Sequence, residues 1–112
     1  MENLKLLKDE EIVVFNWLDT LFGAFELYFS TELRLRVNKK AIWRLSRGNT
    51  ILYSSASRKN DKFISAMRDL LEEKKVKKIT EKPNGDIILY LSGSLKLELF
   101  KMKADDIIAE IQ

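Results

Sequence analysis

The chain has no cysteine and no histidine, and only one proline and four glycines in 112 residues. Without cysteine there is no disulfide, no thiolate nucleophile and no sulfur ligand for zinc. Without histidine there is no Ser-His-Asp or Cys-His arrangement, no imidazole metal ligand and no general base that titrates near neutrality. The few glycines are scattered, one to a turn, at Gly23, Gly48, Gly85 and Gly93. They therefore form neither a phosphate-cradling loop nor a dinucleotide fingerprint. No basic, apolar, small-residue progression opens the sequence, so a secretory leader is not expected. The most apolar stretch, residues 12–29, is interrupted by Asn16, Asp19 and Glu26, which a membrane span tolerates poorly. The sequence thus predicts a cytoplasmic protein with no membrane association, no cofactor and no metal.

What is present is the balance of an ordinary globular chain: 46% hydrophobic and 33% charged residues, with a net charge of +3 from 20 basic and 17 acidic side chains. The length is that of a single domain, 1–112. The clearest strand is the alternation over residues 32–37, which puts Leu33, Leu35 and Val37 on one face. Further strands are expected over 41–45, 50–54, 76–82, 86–91 and 95–101, with turns at 38–40, 47–49, 83–86 and 92–94. The Asn84-Gly85 pair suits a type I′ hairpin turn. From Ile12 onward β-branched and aromatic residues favour strands that turn at 21–23. Apolar residues at 14, 18, 21, 25 and 28 also fit a helix. One amphipathic helix over about 59–75 carries Phe63, Met67, Leu70 and Leu71 as its stripe, with Asn60 or Asp61 as cap. The last segment, 105–112, reads as a short helix or a strand.

Residues 27–37 and 89–99 echo one another. Leu27, Tyr28, Ser30, Leu33 and Leu35 fall on Leu89, Tyr90, Ser92, Leu95 and Leu97, with Arg34 on Lys96. Two amphipathic hairpins need the same alternation, and a structural duplication gives the same pattern. The expected fold is therefore α+β. Two antiparallel meanders of seven or eight short strands flank one helix, with a possible internal duplication.

For chemistry, the carboxylates Asp9, Glu10, Glu11, Glu72, Glu73, Asp105 and Asp106 all lie in runs beside lysines at element ends, where solvated faces and caps are the plain reading. No enzyme is expected. A basic set, Arg34, Arg36, Lys39, Lys40, Arg44, Arg47, Arg58 and Lys59, could gather on a sheet with Trp43 nearby and meet an acidic protein or a nucleic-acid backbone. The competing reading pairs these arginines across strands with Glu26, Glu32 and Glu98. A second run, Lys74, Lys75, Lys77 and Lys78, fits a helix end followed by outward strand positions. Buried core is the first assumption for Trp17, Phe22 and Trp43; Phe22 is the exception, because an expected turn tip would expose it for a partner or dimer contact. Candidate partner-binding residues are Phe22, Arg34, Arg36, Trp43, Arg44 and Arg47.

Residues 25–101 contain Ile42-Trp43-Arg44-Leu45, Ser54-Ser55, the helix, and Gly85-Asp86-Ile87-Ile88-Leu89-Tyr90-Leu91 followed by Leu95-Lys96-Leu97-Glu98-Leu99-Phe100. In this order of elements the chain resembles small uncharacterised bacterial proteins of the immunity type. The resemblance implies a binding protein without chemistry of its own, whose partner is a toxin or a second copy in a homodimer. A nucleic-acid-associated protein using the basic sheet surface is the alternative.

Overall fold

Alternation along the chain becomes two antiparallel sheets, seen in a computed structural model that describes residues 2–18 and 23–112. A short 3-10 turn, Glu2–Leu7, leads into β1 (Ile12–Trp17), β2 (Phe25–Phe29) and β3 (Arg34–Val37). There follow β4 (Ile42–Arg47), β5 (Thr50–Ser54), the helix α1 (Asp61–Leu71), β6 (Val76–Glu81), β7 (Ile87–Leu91), β8 (Leu95–Phe100) and β9 (Ala109–Ile111). One sheet has the order β1-β2-β3-β9 and the other β5-β4-β8-β7-β6. The α+β architecture is as the sequence predicts. The segment after Ile12 is strand, not helix, and the final segment supplies a ninth strand among the described residues.

Two local expectations need correction. The helix is shorter than 59–75. The Asn60 side chain accepts from the Phe63 N–H at 2.9 Å and fixes its start, while Glu72 is extended and Glu73 takes φ 72 beyond its end. Lys75 then belongs to a β-bridge with Glu11 rather than to the helix terminus. The 83–86 hairpin turn is not type I′, which needs two successive positive φ values. Only Gly85 has one, φ 94, and its N–H donates to the Lys82 carbonyl three residues back. Pro83 fixes its own φ near −65°, the geometry of an ordinary turn's second residue.

The echo extends well beyond the hairpins. Asp9 and Glu73 share the left-handed conformation, φ 68 and 72. The Asp9 N–H donates to the Val76 carbonyl at 2.7 Å, and the Glu73 N–H to the Ile12 carbonyl at 2.7 Å. Ile12 N–H to Lys74 carbonyl (2.8 Å) is matched by Val76 N–H to Glu10 carbonyl (2.9 Å). Ile12 pairs with Phe29 and Val76 with Leu91, and a bulge follows each. β2 and β7 have the same sequence of buried and half-buried positions. The two halves are thus related by a pseudo-twofold axis through the Glu11–Lys75 bridge.

After the hairpins the halves exchange strands. β4, which follows β3, pairs not with it but with β8, matching Trp43 to Leu99. β9, which follows β8, pairs with β3, matching Ala109 to Val37. The crossing connections touch where Asn38 N–H donates to the Ile108 carbonyl at 2.9 Å and Lys40 lies 3.8 Å from Asp106. Inward residues of both sheets, among them Leu27, Leu35, Val37, Leu45, Leu89, Leu97 and Leu99, share one core. At one end this core is aromatic, with Phe63 of α1 set edge-on to Trp17 (5.2 Å) and Tyr53 (5.5 Å).

Candidate functional site

The expected arginine surface does not assemble. Arg34 and Arg36 lie on β3, in one sheet, and Arg44 and Arg47 on β4, in the other. Arg44 closes on Glu98, its cross-strand partner, with Nη2 at 2.9 Å and Nε at 3.0 Å from Oε1. Lys96 approaches the same oxygen at 3.7 Å, and the guanidinium stacks over Phe100 at 5.2 Å. Arg34 Nε lies 3.5 Å from Glu26, and its Nη1 donates to the Tyr28 hydroxyl at 3.3 Å. The bond to Tyr28, with the charge of Glu26 added, raises the Arg34 pKa further above its ordinary value, against a smaller opposing effect of burial. These partners leave Glu26 and Glu98 only 4% and 5% exposed although they sit on outward faces. Cross-strand pairing, not a shared cationic patch, is what the strands build for Arg34 and Arg44.

Trp43 is also not a surface contact. Outward Ile42 and Arg44 alternate with inward Trp43 and Leu45 along β4, so its indole packs in the core 5.4 Å from the Phe25 ring. Arg36, opposite Glu110, and Arg47, at the end of β4, are exposed. Phe22 lies outside the described residues.

The pseudo-twofold axis supplies an internal control. Equivalent strand positions share register and bulge, although β1 lies against α1 and β6 against the shorter 3-10 turn, so a difference between them points to what each edge faces. On β1 the bulge turns two consecutive residues, Val13 and Val14, outward, and Leu18 follows just past the strand; all three are about two-fifths exposed. Their equivalents beside and beyond β6 are Lys77, Lys78 and Lys82, all exposed. Charged side chains on an edge strand are the ordinary protection against unwanted pairing. The first half gives that protection up. The contrast is present in the sequence, where residues 12–18 set over 76–82 place Val13, Val14 and Leu18 on Lys77, Lys78 and Lys82, outside the hairpins of the echo.

Beside this strip, Val13 and α1 form a shallow groove of about 290 Å³ lined by Arg68, Asp69, Glu72 and Glu73. Glu72 is fixed there, since its Oε2 accepts from the Phe15 N–H at 2.9 Å and lies 4.0 Å from Arg68 Nε. The groove thus sets three carboxylates against one guanidinium next to exposed valine. Among the described residues no three acidic, histidine or cysteine side chains are arranged to hold a metal ion, and no helix is long and apolar enough to cross a membrane. Comparison with protein-family models, curated proteins and solved structures returns no match.

Proposed function

We propose that this protein is a non-enzymatic protein-binding module, of the immunity or inhibitor kind that the resemblance implies. Its docking surface is the Val13, Val14 and Leu18 strip with the adjoining groove. The observation that carries the reading is the replacement of the Lys77, Lys78 and Lys82 pattern by exposed apolar residues at equivalent positions. Exposed aliphatic residues bordered by Asp69, Glu72 and Glu73 suit a protein partner that brings apolar and basic side chains together. Arg34 and Arg44, engaged with Glu26 and Glu98 on different sheets, weigh against the nucleic-acid alternative.

The test is a triple variant, Val13→Lys, Val14→Lys and Leu18→Lys, which copies the other half and so should fold. Affinity capture from the native host with the wild-type chain should retain a protein that the triple variant loses and that Arg36→Glu keeps. Repeated capture of nothing, or equal capture by the triple variant, would refute the reading. Light scattering on the purified chain separates a second copy from a different partner.

A further inference from the structure

The pseudo-twofold axis relates surfaces of opposite charge. β1 is backed by the end of α1, and β6 by the 3-10 turn at the start of the chain. The matched N–H bonds of Glu73 to Ile12 and of Asp9 to Val76 set the register between these two backings. In that register Asp69 and Glu72 have Lys5 and Lys8 as their equivalents, while Val13 has Lys77. Glu11 and Lys75, which bridge across the axis, are likewise opposite in sign. Asp9, the counterpart of Glu73, keeps its charge. One side of the axis therefore gathers Asp69, Glu72 and Glu73 around the groove beside exposed Val13. The other carries Lys5, Lys8 and Lys77 with Leu6, which is 54% exposed.

Most of this charge is not neutralised within the chain. Asp69, Glu73, Lys5, Lys8 and Lys77 are all exposed, and among the described residues their side chains make no ion pair or hydrogen bond. Like charges gathered on one surface repel, and a surface of opposite sign relieves them. The molecule carries that surface itself. Because a twofold relates the two sides, a second copy turned over about a perpendicular axis lays acidic side on basic side twice. Such a contact closes at two copies, whereas a head-to-tail contact leaves one side of each end copy unmet and keeps adding copies. The exposed valines then meet Leu6 and the aliphatic stems of the lysines.

We propose that the occupant of the docking strip is a second copy of this chain. In the closed dimer, Val13, Val14, Asp69 and Glu73 of each copy face Lys5, Leu6, Lys8 and Lys77 of the other. This inference rests on the reading of the strip as a docking surface and names the partner.

The experiment is sedimentation velocity on the full chain, with charge reversal on each side. The wild type should pass from 13.1 kDa towards twice that mass as concentration rises, and return as salt is added. One double variant, Asp69→Lys with Glu73→Lys, makes both sides basic; the other, Lys5→Glu with Lys8→Glu, makes both acidic. Each alone should dimerise about tenfold more weakly, equivalent to about 1.4 kcal/mol. Mixed in equal amounts they should dimerise as the wild type does, and circular dichroism of each reports its fold. A mass that grows past two copies overturns the closed arrangement. Wild-type dimerisation in both folded variants, or no recovery on mixing them, overturns the proposal. So does a wild-type chain that stays monomeric at millimolar concentration. That last outcome leaves the strip as a surface for a different protein, which capture with the triple lysine variant decides by itself.

Discussion

Arg44 and Arg36 show how differently two arginines on successive strands of different sheets can be used. Arg44 meets a carboxylate that is 5% exposed, and removing the guanidinium would leave Glu98 with Lys96 alone at 3.7 Å. Arg44→Met should therefore destabilise the chain by about 1–3 kcal/mol, the cost of depriving a largely buried charged acceptor of its donor. Arg36 is exposed, so Arg36→Met should stay within about 0.5 kcal/mol of wild type. Urea midpoints of the two variants check the contrast, and equal effects would show that Glu98 does not depend on Arg44. The sequence could name Glu98 as a partner, because opposite charges on alternating strands are a general pattern. It could not say which arginine would find it, since residues 44 and 98 are brought opposite one another only by the strand exchange. Trp43 is core, as any tryptophan is first assumed to be, and its candidate place beside the arginines fails for a related reason: alternation separates the two faces of β4 without saying which is inward.

At the level of elements, the features held by local chemistry were the legible ones. Phe63, Met67 and Leu71 recur at helical spacing and are the buried residues of α1, and Asn60 caps it. Asn60→Ala should cost about 1 kcal/mol, and Asn60→Gly only a few tenths, because glycine still permits the extended cap conformation. Thermal unfolding of the pair distinguishes loss of a cap from loss of any side chain. The β2–β3 and β7–β8 hairpins were legible through their alternating leucines and short turns, and the recurrence of positive φ at Glu32 and Ser94 shows how closely they match. The ends of α1 were less so. Lys74 and Lys75 look like helix-terminal cations, but the left-handed Glu73 ends that course so that its N–H can reach Ile12. A bond to so distant a residue leaves no periodic signal in the sequence.

At the scale of the molecule, the exchange of β4 and β9 makes each sheet depend on both halves. Leu45 is fully buried on β4, between β5 and β8, so Leu45→Ala should cost about 2–5 kcal/mol. Its effect should not be confined to one sheet: amide exchange at Leu27 and Leu35 should quicken together with that at Leu89 and Leu97. Protection retained in the β1-β2-β3-β9 sheet would show that the halves open separately. The pairing of Val37 with Ala109 also has a consequence during synthesis. When β3 leaves the ribosome, the strand that covers its free side still lies beyond five further strands and the helix. The growing chain must carry an uncovered sheet edge until β9 is made, and contacts of such long range are slow to form. A holding chaperone, or slow release of a finished chain, is therefore expected to matter more to this protein than to one whose successive strands pair as they emerge.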